Sequence, residues 1–338
     1  MTSVVLTGAS SPLGRRVAAL LASDGRVAQV VALDGRPGPE AGSAGVFHQL
    51  DLAVDDLKAH FERVDTVVHL VTDAVATRRV LDTAGAVGVT TLVLLSSATV
   101  YGAWSNNPVP LTEEALVRPR PGMPLAVACA EIERLAHEWR AAHPGATVAV
   151  LRPAVTLAED QTGWMARALR AAAGIQAGDS AAPMQFVHLD DVATAVEVAR
   201  TGRLDGPLNV APDGWLSADQ LQALAGHPRL RLPVPVATRL AGWGWRLRLA
   251  PTPPALVPYT MHPWVVANDR LRAAGWEPSQ SNEEAYVAGH HPGRLALLSP
   301  QRRQELALGA GAAGAAGVIF GAVSLVRRLR ARHRAPPG

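Results

Sequence analysis

Short apolar runs recur along the first 150 residues at Ser3–Thr7, Val27–Leu33, Val64–Val71, Leu92–Ser96 and Val148–Leu151. They are continuous rather than alternating, which is the pattern of strands buried on both faces. Several are separated by segments with helical spacing: Val17, Leu20 and Leu21 share one face, and Ala74–Ala86 and Ala126–Ala142 are longer amphipathic stretches. Apolar strands alternating with helices predict an α/β fold, a Rossmann-like doubly wound parallel sheet covered by helices on both sides.

Beyond that core the pattern changes. Residues 1–155 are expected to form the sheet domain, with 183–203 returning to it, and 156–182 together with 204–292 a smaller C-terminal subdomain. Six of the eight tryptophans fall between 155 and 290: Trp164, Trp215, Trp243, Trp245, Trp264 and Trp276. They fit a ligand pocket, the subdomain's own core or a membrane surface, and Gly242–Leu249 mixes apolar and basic residues suited to headgroups. Pro251, Pro253, Pro254 and Pro258 make a stiff connection. A linker is expected over 293–305. Leu306–Val326 is then a 21-residue run without charge, long enough as a hydrophobic helix for a ~30 Å hydrocarbon layer. Gly309, Ala313, Gly317 and Gly321 form a small-residue stripe along it.

Charge refines this picture. The chain carries +3 and a pI near 9.6, yet Arg327, Arg328, Arg330, Arg332 and Arg334 supply five positive charges in the basic tail, 327–338. Removing those five leaves −2 for residues 1–326, with no basic, aromatic-interleaved face, so no nucleic-acid partner is expected. A single span would place the tail arginines outside, against the positive-inside rule; a helix lying on anionic cytosolic headgroups would not. The expectation is a cytoplasmic protein without a signal peptide, associated with membrane lipid through residues 306–334. One cysteine, Cys129, excludes a disulfide framework and a cysteine-rich metal site, and His290-His291 lacks partner ligands, so no metal is expected.

After the first strand comes Gly8-Ala9-Ser10-Ser11-Pro12-Leu13-Gly14. A turn of this kind lets the chain reverse tightly and aims the N–H groups and positive dipole of the next helix at a pyrophosphate. Asp34 closes the second strand, where a carboxylate accepts hydrogen bonds from ribose hydroxyls and repels a 2′-phosphate, favouring NAD over NADP. Arg36 leaves NADP open.

These features resemble the extended short-chain dehydrogenase/reductase superfamily, in particular its NAD-dependent epimerase/dehydratase branch, over roughly residues 3–215. Thr7-Gly8-Ala9 through Gly14 resembles the cofactor turn. Asp51-Leu52 resembles the pair that contacts the adenine ring, and Val67-Val68-His69-Leu70 the fourth strand passing the cofactor. Leu94–Gly102, with Ser96 and Ser97, is similar to the fifth-strand signature; Leu151-Arg152-Pro153 and Phe186–Ala193 resemble two later ones. The resemblance implies cofactor contacts at Gly8, Ser10, Ser11, Pro12, Leu13, Gly14, Asp34, Asp51, Leu52, Leu70 and Ser96. It also implies a nucleotide-sugar-like ligand and leaves a homodimer open.

In that family a Ser or Thr, a Tyr and a Lys act together: the Tyr hydroxyl transfers the proton and the Lys lowers its pKa. Ser97 stands at the serine position. Registered by Glu131 and Glu133-Arg134-Leu135, the Tyr and Lys positions hold Leu125 and Cys129. Lys58 is the only lysine, and Tyr101, Tyr259 and Tyr286 are the only tyrosines, so no Tyr-xxx-Lys pair exists in the chain. The turn also lacks the family's middle glycine, and a side chain at Ser11 or Pro12 is expected to crowd the pyrophosphate, although Pro12 suits the first turn of a helix.

Substitutes are few. Cys129 reads as a packing residue rather than a nucleophile. His69 and His188 read as structural, Asp190 and Asp191 as caps before Val192, and Glu113-Glu114 as a loop or helix start. Three functions follow: a dinucleotide-binding sensor or scaffold with a degenerate catalytic centre; a working oxidoreductase or epimerase using Ser97 with a non-standard acid or base; or an interaction protein that binds no dinucleotide.

Overall fold

A computed structural model of the chain describes residues 2–38, 45–172, 175–179, 181–225, 230–248 and 253–289. The expected linker, hydrophobic helix and basic tail, with His290-His291, lie outside the described residues. The first half runs β1 (Thr2–Thr7), α1 (Pro12–Ser23), β2 (Val27–Asp34), β3 (Val46–Gln49), β4 (Thr66–His69), α2 (Ala74–Val87), β5 (Thr91–Leu95), α3 (Pro124–Ala142) and β6 (Thr147–Pro153). The second half adds β7 (Val155–Ala158), β8 (Gln161–Thr162), α4 (Trp164–Ala172), β9 (Ile175–Ala177), β10 (Phe186–His188), α5 (Leu189–Thr201) and β11 (Gly206–Val210). It ends with α6 (Ala218–Ala225), β12 (Leu230–Leu232), α7 (Val234–Arg246), α8 (Val257–Met261), α9 (Asp269–Ala273) and α10 (Asn282–Ala288).

Seven strands form one parallel sheet in the order β11-β6-β5-β4-β1-β2-β3. Side chains alternate across it. Val4, Leu6, Val30, Val68 and Val93 join the core containing Val17 and Leu21 of α1 and Val192 and Val196 of α5. Val5, Val31, Leu33, Val67 and Leu92 join a second core with Val80 and Leu81 of α2 and Leu135 and Trp139 of α3. Both faces are therefore dry, which is what the unbroken apolar runs required. The order reverses at β1, flanked by β2 on one side and β4 on the other, and a crevice for ligands opens beyond the carboxyl ends of such strands. Thr7, Asp34, His69, Leu95 and Pro153 end their strands at that edge.

Strand β11 pairs with β6 in the large sheet, although its residues fall in the 204–292 stretch expected for the subdomain. Two smaller sheets, β10-β7-β8 and β12-β9, lie outside the main one. The tryptophans divide. Trp264 and Trp276 are buried and their indole N–H groups donate to the carbonyls of Tyr259 and Asp191, whereas Trp164, Trp215, Trp243 and Trp245 are exposed.

Capping of α5 corrects the sequence expectation. Its N-cap is His188, whose Nδ1 accepts from the Asp190 N–H at 3.2 Å. Asp190 pairs with Arg16 of α1, and the buried Asp191 carboxylate accepts from the Ser279 N–H and hydroxyl, both at 2.7 Å, and from the Gln280 N–H. Asp191 thus pins the closing loop to the sheet domain rather than capping its own helix.

Candidate functional site

The β1–α1 turn is held by a small set of bonds. Gly8 has a φ of +74°, a region that costs other residues strain. A Cβ on Gly14 would lie 2.1 Å from the Gly8 carbonyl oxygen, so close packing of strand and helix requires glycine there. Ser11 is the N-cap of α1: its hydroxyl donates to the Gly8 carbonyl at 2.7 Å and accepts from the Gly14 N–H at 2.9 Å. The side chain expected to crowd a pyrophosphate is therefore folded into the turn. Pro12 occupies the first helical position, where a missing N–H costs nothing. The N–H groups of Gly8 and Ala9 go to Leu33, that of Ser10 to Asp34, and that of Ser11 to Gly8, while Arg15 donates back to Ser11. Leu13 keeps the one N–H of the turn with no partner among the described residues, at the positive end of a 12-residue helix.

Asp34 is buried at the end of β2. Its Oδ2 accepts from the Ser10 N–H and its Oδ1 from the Arg36 N–H, both at 2.9 Å, which fixes the carboxylate beside the turn with lone pairs to spare. The exposed Arg36 side chain approaches it only to 3.9 Å. Asp51 is exposed and caps its own loop through the Ala53 N–H, and Leu52 is buried in the core beneath α2.

A cavity of about 230 Å³ brings together Ser11 and Leu13 of the turn, Leu70 after β4, Ser96 and Ser97 after β5, and Leu125 in the first turn of α3. Its far wall comes from Pro153–Thr156 and Gly163–Ala166, with the half-exposed Trp164 among them. The Ser97 hydroxyl oxygen accepts from the Thr99 N–H at 3.3 Å and the Thr99 hydroxyl at 3.1 Å, leaving its own proton available. Ser96 is already committed, donating to Glu133 Oε1 at 2.6 Å. Among the described residues the polar side chains of the wall are hydroxyls and one indole, and no carboxylate, imidazole, phenol, thiol or amine lines it.

Residues 125, 129 and 133 follow one another along a face of α3 at i, i+4 and i+8. Leu125 reaches the cavity, and Cys129 lies fully buried behind it, its thiol pushed up to about 12 by burial. A thiol so placed stays protonated and packs, as expected. Glu133 does something the sequence reading used only for register: it binds Arg152 of β6 bidentately, at 2.9 and 2.6 Å. Burial opposes the charge on Arg152, yet the Glu133 carboxylate outweighs it and holds the guanidinium above its ordinary value. Arg152 donates on to the Tyr101 hydroxyl at 2.7 Å, which donates to Asn209 Oδ1 at 2.8 Å, and the Asn209 N–H meets Glu113 Oε1 at 2.9 Å. Glu113, read from sequence as loop, is thus a buried acceptor at the sheet edge, its carboxyl raised mainly by burial. The sequence signal for this network was Glu133 falling on the same helical face as 125 and 129.

That network engages Tyr101, and the remaining tyrosines, the lysine and His69 lie outside the cavity wall. Burial pushes Tyr101 up to about 12 and both roles of its hydroxyl are taken. Tyr259 and Tyr286 are buried in the second half of the chain, and Lys58 is exposed in the loop between β3 and β4. His69 is wholly buried between two threonines, Nδ1 2.7 Å from Thr7 Oγ1 and Nε2 2.9 Å from Thr77 Oγ1. Because Thr77 gives its proton to the Asp73 carbonyl, it accepts from Nε2–H, and Nδ1 accepts from Thr7. Burial lowers its pKa to about 4, so it is neutral and structural.

The sequence model of the NAD dependent epimerase/dehydratase family matches residues 4–211. The chain belongs to that family. No curated protein sequence matches it significantly. Among solved structures it is similar to MoeE5 in complex with UDP-glucuronic acid and NAD, at 21% identity and a TM-score of 0.64 over 85% of this chain and 97% of that one. The UDP-glucuronic acid 4-epimerase of Bacillus cereus, in complex with NAD, is 16% identical with a TM-score of 0.64 over 85% and 96% of the two chains. A dTDP-glucose 4,6-dehydratase of Bacillus anthracis, also with NAD, is 16% identical with a TM-score of 0.63 over 86% and 95%. At these identities the likeness concerns the fold.

Proposed function

We propose that this family member binds NAD at the β1–α1 turn and a nucleotide-sugar-like ligand in the adjoining cavity, and that it does so without the family's proton relay, as a sensor or scaffold. The residues fit the dinucleotide. Gly14 permits the close approach of strand and helix, Ser11 is turned inward, Leu13 offers a free N–H for a phosphate oxygen, and Asp34 is fixed where ribose hydroxyls can donate to it. Structural neighbours crystallised with NAD and with UDP-sugars support the same ligand classes. When bound, NAD would supply a hydride acceptor.

One observation carries the second half of the reading: among the described residues the cavity wall beside Ser97 contains no side chain that exchanges a proton near neutral pH. Ser97 can orient a ligand oxygen by donating to it, but neither Leu125 nor Cys129 can take a proton from that ligand. The test is calorimetric titration of the full chain with NAD and NADP, separately, followed by incubation with NAD and UDP-glucose. NAD is expected to bind in the micromolar range and NADP more weakly. Asp34→Ala should weaken NAD about tenfold, the scale of a lost charged hydrogen bond. No binding of either dinucleotide at millimolar concentration overturns the cofactor reading; a formed epimer or accumulated NADH overturns the absence of turnover.

A further inference from the structure

Helix α7 presents its apolar residues to the outside. A helix packed on a core normally turns its apolar stripe inward. Here Ala237 is the only buried residue. Val236, Leu240, Trp243 and Leu247, just past the helix end, recur at i, i+4, i+7 and i+11, which places them within one narrow stripe about 16 Å long. They are 40, 49, 69 and 64% exposed. Arg239 and Arg246 flank that stripe on one side, exposed and without an ion pair among the described residues, whereas Arg134, Arg140, Arg152 and Arg200 all meet carboxylates. Residues 220–268 hold five arginines and not one Asp or Glu. Nothing negative on this stretch of chain complements the arginines.

We propose that α7 is an interfacial docking helix for an anionic lipid bilayer. An exposed apolar stripe carrying a tryptophan, bordered by unpaired arginines on a helix of 13 residues, has the chemistry of a segment lying in the headgroup plane. Trp243 and Leu247 enter the acyl boundary while Arg239 and Arg246 meet lipid phosphates. Among the described residues no helix is long and apolar enough to cross a membrane, in keeping with a surface position for α7. The chain supplies a second feature of the same chemistry, the uncharged 306–326 run followed by five arginines. This inference is independent of dinucleotide binding.

The experiment uses the full chain with Trp243→Cys carrying an environment-sensitive fluorophore. Cys129 is buried, so labelling is specific to the introduced site. Vesicles of phosphatidylcholine with phosphatidylglycerol should shift the emission to the blue and raise it several-fold, and pure phosphatidylcholine vesicles should not. A label at the exposed Val54, in the loop between β3 and β4 and introduced by Val54→Cys, should not respond. The pair Arg239→Glu/Arg246→Glu should weaken vesicle binding at least about tenfold, given about 1 kcal/mol per basic residue at such a surface. The proposal is overturned if the protein does not bind anionic vesicles, or if it binds while the label at 243 stays in water, which would leave the tail as the sole anchor. It is equally overturned if the label is shielded without lipid, either at all protein concentrations, meaning that the chain covers its own helix, or only as concentration rises, meaning that a second copy does.

Discussion

The two ends of the cleft have kept different things. At the β1–α1 end the requirements are steric and met by backbone: Gly14 for close packing, Gly8 for a positive φ, and a carboxylate on β2 fixed by two N–H groups. At the α3 end the requirements are proton transfer, and the two side chains that would meet them are a leucine and a buried cysteine. Yet the same helical face retains Glu133 one turn further on, in a buried ion pair with Arg152. The difference separates what the fold needs from what turnover needs. Glu133 holds α3 to β6 whether or not chemistry occurs above it, and the apolar side chain of Leu125 and the buried thiol of Cys129 leave no charge there to be solvated.

The largest expected effect tests that division directly. Glu133→Ala strands the Arg152 guanidinium, whose side chain is 5% exposed, and leaves the Ser96 hydroxyl without its acceptor. Breaking one partner of a buried pair costs about 3–5 kcal/mol, a large share of a typical domain's stability. Urea unfolding should show it, and Leu125→Ala, on the same face but at the cavity, should cost less. If Glu133→Ala unfolds no more readily than wild type, the network is not what holds the edge of the sheet.

The second effect belongs to the cofactor end. His69 closes β4 with a pKa near 4 in the folded protein against 6.5 in an open chain. The unfolded chain therefore binds more protons between those values, and folding stability falls as the pH drops from 6.5 towards 4. At the acid end the loss amounts to roughly 3 kcal/mol. His69→Gln, which keeps a donor and an acceptor, should lack this acid-dependent loss when urea midpoints are compared at near-neutral and acidic pH. An identical pH profile in both proteins would show that β4 tolerates an imidazolium.

How much of this the sequence displayed follows from how local each feature is. The strands and helices of the sheet were legible because each is announced by an unbroken apolar run or a helical period within its own few residues, and the β1–α1 turn by its spacing. The absence of a Tyr-xxx-Lys pair was legible from composition, since Lys58 is the only lysine and no tyrosine stands four residues before it. Pairings between distant positions were not. Glu113 meets Asn209 across 96 residues, and Asp191 meets Ser279 across 88, so neither leaves a periodic trace. Asp191 consequently looked like a cap. The tryptophans were ambiguous for the same reason: Trp276 is buried against Asp191 and Thr194, more than 80 residues away, while Trp243, on α7, is exposed.

The smallest expected effect is the one that decides between the two readings of the cleft. Ser97 Oγ accepts two bonds from Thr99, which is buried, so removing the hydroxyl leaves the Thr99 N–H and hydroxyl without that acceptor at the start of the helical turn Ala98–Tyr101. Ser97→Ala should therefore cost about 1–2 kcal/mol of stability and leave the NAD dissociation constant within about twofold of wild type, since the phosphate and ribose contacts come from the turn and Asp34. A nucleotide sugar should bind several-fold more weakly, because one donor to its oxygen is gone. An enzyme that relied on Ser97 with a water in place of the tyrosine would behave otherwise: its turnover would collapse by orders of magnitude while ligand affinity barely moved, as for a group whose contact strengthens only in the transition state. Loss in affinity marks a binding site, and loss in rate a working one.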